Sequence, residues 1–266
     1  MAISRREVLK ISGVATAAAA IGGCSAVDSP EPAVKKEAKR QTSVHPTGFK
    51  APIADTKNQR VVVVGGGWSG LSVAKYTKRY APAAEVILVE QRHEFISCPM
   101  SNLWLVDRVE LAYLTHDYLQ AARENRYTYF NATAIGVDKK NKILHTSNGD
   151  IEYDYLVLAP GIDYDYSYWT EDVKLETKLR TEYPAAFIPG SEHLTLKNKI
   201  HNFKGGNFIF TVPGGNYRCL PAPYERACIV ADFFKKKGLK AKVILLDENN
   251  DITIKEHGFH TAMDEL

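Results

Sequence analysis

Residues 60–90 decide the fold, and they read RVVVVGGGWSGLSVAKYTKRYAPAAEVILVE. The run 61–64 is continuously apolar, which is typical of a parallel strand that is buried on both faces. It leads into three glycines with the spacing G-x-G-x-x-G, then into a predicted helix over 71–80 and a second apolar strand over 85–89 that Glu90 closes. This order predicts an α/β protein with a Rossmann-like dinucleotide-binding domain.

The glycines and the acid have separate roles in holding a dinucleotide. Gly65 makes the tight turn after the strand, Gly67 lets the backbone approach a pyrophosphate, and Gly70 lets the helix pack closely on the strand. Glu90 stands where a carboxylate accepts hydrogen bonds from ribose hydroxyls, and its charge repels the 2′-phosphate of NADP. The predicted nucleotide contacts are Gly65, Gly67, Trp68, Ser69, Gly70, Glu90 and Gln91.

The order of the next strands favours FAD over NAD at this site. A third parallel strand is predicted at 127–130, and two alternating segments at 134–138 and 142–146 predict an antiparallel meander. A buried strand then ends in Ala159-Pro160-Gly161. This order resembles the FAD domain of glutathione-reductase-like flavoproteins, which implies that Ala159 and Gly161 lie near the flavin nucleotide. The threonine of the corresponding turn is absent here.

Two cysteine-containing segments carry a closer resemblance. Residues 97–102 read SCPMSN, and residues 217–227 read YRCLPAPYERA. Both resemble the flavoprotein subunit of the flavocytochrome c sulfide dehydrogenases. The resemblance implies that Cys98 forms a thioether to the 8α-methyl of FAD, giving an 8α-S-cysteinyl linkage. It also implies that Cys219 is the catalytic half of a redox disulfide that reacts with sulfide, and that a c-type cytochrome subunit receives the electrons.

Cys219 lies inside a second strand–helix–strand pattern. Strands are predicted at 207–212 and 241–246, with a helix between them that starts near Ala222. Related reductases bind NAD at this position, but the loop at 213–219 lacks the spacing G-x-G-x-x-G and carries bulky residues that block a pyrophosphate. We therefore expect a partial second Rossmann-like domain that does not bind NAD(P)H.

Three side chains near Cys219 have less definite predicted roles. Arg218 either favours a thiolate and attracts HS⁻, or forms an ion pair with Glu225. Cys228 lies in the predicted helix and is expected to pack in the core. The four cysteines include no CxxC pair, so no metal site is predicted.

The N-terminus is predicted to direct export. Residues 1–24 combine a basic segment, SRREVLK, with a short apolar run, and they resemble a twin-arginine signal. This implies a periplasmic protein that folds with its cofactor before export. The residues before Cys24 resemble a lipoprotein cleavage box, so Cys24 is either acylated or removed with the signal. Residues 25–58, rich in Pro, Ala, Lys and Glu, are predicted to form a flexible linker.

The predicted domains are 59–165, the N-terminal part of an FAD-binding domain, and 166–266, the partial second domain. The resemblance implies a longer protein, with the second redox cysteine beyond residue 266. We therefore expect residues 25–266 alone to bind flavin without completing the sulfide-oxidising pair. A net charge of +3 is too small to indicate nucleic-acid binding. The alternatives are a sulfide:quinone oxidoreductase-like enzyme, which passes electrons to a membrane quinone, and a non-catalytic FAD-binding fragment.

Overall fold

The computed structural model describes residues 47–266. The predicted export signal, Cys24 and most of the predicted linker therefore lie outside the described residues. The described chain forms two compact units. The first unit runs to His93 and resumes at Tyr118–Ile162, while the second unit comprises Glu94–Asp117 and Asp163–Leu266. Segment 94–117 thus packs with the second unit, whereas the sequence placed it inside the range 59–165.

Eleven strands and eight helices are described within residues 47–266. The strands are β1 (Arg60–Val64), β2 (Glu85–Glu90), β3 (Glu94–Ile96), β4 (Thr115–Asp117), β5 (Thr128–Asn131), β6 (Ala134–Asp138), β7 (Ile143–Thr146), β8 (Gly149–Glu152), β9 (Tyr155–Leu158), β10 (Gly206–Val212) and β11 (Ala241–Asp247). The helices are α1 (Trp68–Tyr80), α2 (Ser101–Leu105), α3 (Leu111–Leu114), α4 (Tyr118–Asn125), α5 (Val173–Glu182), α6 (Ser191–His201), α7 (Ala222–Lys236) and α8 (Glu256–Glu265). None of these helices is long and apolar enough to cross a membrane.

The first unit is built on a parallel sheet with the strand order β5-β2-β1-β9. Central strand β1 is parallel to both neighbours, and Val62 and Val63 within it are fully buried. Helix α1 connects β1 to β2, as expected for a βαβ unit. Strands β6, β7 and β8 form the antiparallel meander, and Leu144 and Ile151 in it pack in one core cluster with Val62. The predicted α/β fold with its parallel sheet and meander is confirmed.

The second unit contains the other predicted strand–helix–strand pattern. Strands β10 and β11 pair in parallel, and α7 connects them. On α7, Val230 and Phe234 are four residues apart and therefore lie on one face, where they join a core cluster with residues of α2 and α6. Strands β3 and β4 form a short antiparallel pair in the same unit. This packing fixes the segments before α2 and α7, where the two predicted functional cysteines lie.

Candidate functional site

Two glycines of the first unit are required by close backbone contacts. Gly65 has φ +101°, and a Cβ there would lie 2.1 Å from the carbonyl oxygen of Ala159. A Cβ at Gly70 would lie 1.7 Å from the carbonyl oxygen of Gly65. Neither distance is compatible with a side chain, so these positions close the turn and bring α1 against β1, as predicted.

Gly67 differs because the space around it is open. It is exposed, and a Cβ there would meet no protein atom within 4 Å. It is the N-cap of α1, no side chain caps this helix end, and the next two residues, Trp68 and Ser69, are also exposed. The first amides of a helix carry partial positive charge and bind anions. The helix end therefore fits a pyrophosphate that approaches over Gly67.

Glu90 lies beside this turn at the carboxyl end of β2. Its Oε2 accepts a hydrogen bond from the Gly66 amide at 2.7 Å, and its Oε1 accepts one from the Arg92 amide at 2.9 Å. A carboxylate oxygen has a second lone pair, so both oxygens retain acceptor capacity for ribose hydroxyls. Gln91, which follows, is exposed. The structure thus brings the predicted acid to the predicted glycine turn.

Tyr118 is a further residue of this turn that the sequence analysis did not single out. Its hydroxyl donates to the Gly66 carbonyl at 2.7 Å, and its ring leaves no room for a Cβ at Gly66, which would lie 2.6 Å away. Burial, together with the nearby charge of Glu90, raises the pKa of Tyr118, so the hydroxyl stays protonated and donates. Tyr118 and Glu90 hold Gly66 through its carbonyl and its amide, respectively.

The predicted turn after β9 lies next to the same glycine turn. The Ala159 amide donates to the Val64 carbonyl at 2.8 Å, and the Ala159 carbonyl faces Gly65. Gly161 follows with φ +79°. Ala159 therefore lies directly against the nucleotide turn, at the carboxyl end of the sheet where open α/β sheets bind ligands.

Cys98 lies in the second unit, in the loop between β3 and α2. The loop is held by hydrogen bonds from the Ser97 amide to the Leu114 carbonyl (2.8 Å) and from the Ser101 amide to the Cys98 carbonyl (3.0 Å). The thiol is half-buried, and this burial raises the pKa of Cys98, while the charges of Arg218 and Arg226 lower it. The thiol therefore lies within electrostatic reach of two arginines.

Cys219 lies in the same unit, just before α7. It is exposed and has φ +60°, and its carbonyl accepts from the Ala222 amide at 2.9 Å. Cys219 and Cys98 are near enough that charge on Cys219 raises the pKa of Cys98. The structure therefore brings the two predicted cysteines into one neighbourhood. Both are free thiols, as is Cys228.

Two buried polar side chains near these cysteines escaped the sequence analysis. Arg226 on α7 is buried and donates to the Asn102 Oδ1 at 2.9 Å. His193 on α6 is buried, and neither ring nitrogen has a hydrogen-bond partner within the described part of the chain. Burial, and next the charge of Arg226, lowers the pKa of His193 to about 4. His193 is therefore a neutral imidazole near pH 7, and Arg226 is the buried cation of the cluster.

The structure bears on one open alternative and one expectation around Cys219. No ion pair joins Arg218 to Glu225 among residues 47–266, and Arg218 is exposed beside Cys219. Cys228 is half-buried rather than in the core, because it faces a groove that Val243 and Met263 also line.

The loop of the second unit that corresponds to a nucleotide turn is closed by its own side chains. The Gly214 amide donates to Glu248 Oε2 and the Gly215 amide to Asn249 Oδ1, both at 3.0 Å. Asp247, at the end of β11, accepts from the Tyr224 hydroxyl at 2.6 Å. The amides of Gly214 and Gly215 and the carboxylate of Asp247 are therefore hydrogen-bonded within the protein.

Comparison with known protein families gives matches over three parts of the chain. The family model described as "Sulfide dehydrogenase (flavocytochrome c) flavoprotein chain, central" matches residues 193–266. The family model described as "Pyridine nucleotide-disulphide oxidoreductase" matches residues 59–178. The model of the twin-arginine translocation signal sequence matches residues 2–22. These matches coincide with the cysteine segment before α7, the first dinucleotide turn and the predicted export signal.

Individual proteins match this chain either over a short segment or at low sequence identity. The sulfide dehydrogenase (flavocytochrome c) flavoprotein chain of Chlorobaculum thiosulfatiphilum is 52% identical over 44 residues, which cover 16% of this chain and 92% of that sequence. The mitochondrial sulfide:quinone oxidoreductase of Mus musculus is 27% identical over 192 residues, 70% of this chain. The crystal structure of the sulfide:quinone oxidoreductase from Aquifex aeolicus has a TM-score of 0.60 and 20% identity, and the match covers 78% of this chain. The match spans 41% of the mouse protein and 49% of the Aquifex chain.

Proposed function

We propose a function from the premise that the chain belongs to the family of flavocytochrome c sulfide dehydrogenase flavoprotein chains. Its twin-arginine signal directs it to the periplasm. Within this family, the proposed role is an FAD-dependent oxidoreductase that oxidises sulfide to sulfur or polysulfide and passes the electrons to a c-type cytochrome. The observation that carries the proposal is that the segments with Cys98 and Cys219 pack in one unit, where Arg226 Nε donates to Asn102 Oδ1 at 2.9 Å.

The proposed cofactor is FAD, held by the first unit and attached through Cys98. The amides at the start of α1 would hold the pyrophosphate over Gly67, and Glu90 would accept from the ribose hydroxyls. The Cys98 sulfur would form a thioether to the 8α-methyl group. When bound, FAD accepts two electrons and releases them one at a time. The protein residues bind and orient it.

Cys219 is the proposed sulfide-reacting residue. It is exposed at the start of α7, beside the exposed cation of Arg218, which attracts HS⁻. In the proposed step HS⁻ attacks the Cys219 sulfur of a disulfide. The disulfide bond breaks, a persulfide forms on Cys219, and the partner cysteine leaves as a thiolate. If that thiolate then bonds to the outer persulfide sulfur and closes a trisulfide, the two electrons released would pass to the bound FAD.

The proposal is tested with protein purified from its native host together with its bound flavin. Sulfide added without oxygen should bleach the flavin, and added cytochrome c should be reduced in steady turnover. Cys219→Ala should reduce this turnover by at least about a hundredfold, because it removes the sulfur that accepts HS⁻, while Cys228→Ala leaves it within about twofold. Steady turnover in Cys219→Ala would reject the assignment.

Faster turnover with a soluble quinone than with cytochrome c would favour the sulfide:quinone oxidoreductase alternative, which the similarity to the mouse enzyme supports.

We also propose that NADH and NADPH do not reduce this protein. The amides of Gly214 and Gly215 are held by Glu248 and Asn249, and the loop lacks the glycine spacing that lets a pyrophosphate approach. Anaerobic NADH should leave the flavin absorbance unchanged over minutes, and calorimetry should detect no binding at 1 mM. Bleaching within seconds would instead identify a pyridine-nucleotide reductase.

A lipid anchor on Cys24 is a separate proposal, which rests on the sequence before that cysteine. Cells that express the protein with labelled palmitate should incorporate the label, and Cys24→Ser should abolish the incorporation. A mature protein that begins after Cys24 would show that the cysteine leaves with the signal.

A further inference from the structure

Arg226 is a buried cation without a carboxylate partner. Its side chain is buried, and no salt bridge pairs it with an acidic residue within the part of the chain that the structure describes. Removing a charge from water costs several kcal/mol unless other groups compensate it. Such a group is retained where its charge or its geometry has a use.

The guanidinium is fixed by three hydrogen bonds and one aromatic ring. Nε donates to Asn102 Oδ1 at 2.9 Å, Nη1 to the Ala185 carbonyl at 2.6 Å, and Nη2 to the Ala186 carbonyl at 3.3 Å. The guanidinium carbon lies 5.3 Å from the centre of the Phe187 ring. These contacts hold the charge in one place, unlike that of a mobile surface arginine.

The hydrogen bond to Asn102 joins the two cysteine segments. Asn102 lies four residues after Cys98 in the first turn of α2 and is itself buried. Arg226 lies seven residues after Cys219, in the second turn of α7. The Arg226–Asn102 bond therefore clamps the segment that carries Cys98 to the helix that follows Cys219, all within the second unit.

The charges around the Cys98 thiol are few. Burial has the largest effect and raises the pKa of Cys98, the charges of Arg218 and Arg226 lower it, a charge on Cys219 raises it, and a hydrogen bond with the Ser101 side chain lowers it. His193, near Arg226, is neutral at physiological pH. Arg218 is exposed and Arg226 is buried, so salt screens the charge of Arg218 more readily than that of Arg226. Glu225 and Tyr164 also lie within electrostatic reach of Arg226.

We infer that Arg226 is a positioning residue, whose buried hydrogen bond to Asn102 clamps the Cys98 segment to the Cys219 helix and fixes a positive charge within the same unit. A thiolate is the nucleophilic form of cysteine, so this charge would prepare Cys98 for attachment to the flavin, in which the sulfur would replace one hydrogen of the 8α-methyl group, that hydrogen would leave as a proton, and the flavin would take up the electron pair. Only the role in flavin attachment rests on the proposed function.

The charge is tested by the pH dependence of Cys98 alkylation by iodoacetamide in the flavin-free full chain, produced in riboflavin-starved cells and read by mass spectrometry. Arg226→Gln should move the midpoint upward by about one pH unit, which lowers the thiolate fraction at neutral pH about tenfold. In 0.5 M NaCl this shift should persist, while any shift caused by the matched control Arg218→Gln should vanish. An unchanged midpoint in folded Arg226→Gln overturns the inference, and so does a shift that salt removes.

The clamp is tested separately, in case Arg226→Gln does not fold. Asn102→Leu keeps the cation and removes its partner, so the alkylation midpoint should stay near that of the wild type while hydrogen exchange in residues 97–105 accelerates at least about tenfold. Arg226→Lys should also keep the midpoint. A large midpoint shift in Arg226→Lys, or unchanged exchange in Asn102→Leu, contradicts the inference. Neither assay uses sulfide or FAD, so both can be interpreted even if the proposed function is wrong.

Discussion

Cys98→Ser is expected to release essentially all of the flavin when the protein is precipitated in acid, whereas the wild type keeps its flavin in the pellet. Only the sulfur of Cys98 is proposed to bond to the cofactor, and a serine hydroxyl is a far weaker nucleophile than a thiolate. The measurement is the flavin absorbance of pellet and supernatant. Cys228→Ser is the matched control, since it removes another half-buried thiol of the same unit, and its pellet should remain coloured. Flavin found wholly in the wild-type supernatant would reject the thioether.

Gly67→Ala and Gly70→Ala are expected to separate cofactor binding from folding. At Gly70 the new methyl would lie 1.7 Å from the Gly65 carbonyl oxygen, so the backbone must move and the unfolding free energy should fall by about 3 kcal/mol or more. At Gly67 the methyl meets no protein atom within 4 Å, so stability should change little. The same methyl would occupy the place proposed for the pyrophosphate, and FAD affinity should fall at least about tenfold.

Both glycine variants are best measured in the Cys98→Ser background, where FAD binding is reversible. Chemical denaturation of the flavin-free protein gives the stability, and quenching of flavin fluorescence gives the dissociation constant. An FAD affinity that is unchanged in Gly67→Ala would show that the pyrophosphate does not approach over this residue. A Gly70→Ala protein as stable as its parent would contradict the close packing of α1 on β1.

The first dinucleotide turn could be predicted from the sequence because every part of it is local. The apolar run of β1, the spacing of Gly65, Gly67 and Gly70, and the acid that ends β2 lie within 31 residues, from Arg60 to Glu90. Each residue type is required by backbone geometry or by charge, so little else fits the pattern. Tyr118 could not be found in this way, since its contact with Gly66 spans 52 residues and a tyrosine has no fixed role in the motif.

Arg226 was missed for a different reason. Arg218 adjoins Cys219 in the sequence, but residues adjacent in sequence point in different directions at a turn. Arg226, Val230 and Phe234 are spaced by four residues on α7, and all three are buried. This spacing places Arg226 on the apolar face of α7. An arginine at such a position indicates a buried cation.

The assignment of segment 94–117 to the second unit was also beyond the sequence. Strands β3 and β4 have three residues each, too few to show an alternating pattern, and they lie 18 residues apart along the chain. Their pairing fixes the loop that begins with Ser97 and Cys98. The cysteine motif was thus recognisable, while the unit that carries it was not.

The helix end at Gly67 is open to a ligand, so the stability of the first unit depends on the concentration of that ligand. A ligand that binds only the folded state stabilises it in proportion to the logarithm of its free concentration, by about 1.4 kcal/mol for each tenfold increase above the dissociation constant. In the second unit, the side chains of Glu248 and Asn249 hold the amides of Gly214 and Gly215 and are part of the chain, so their effective concentration never changes. Until the proposed thioether to Cys98 forms, cellular flavin supply therefore tunes the resistance of the first unit to unfolding and proteolysis, while the turn of the second unit is insensitive to it.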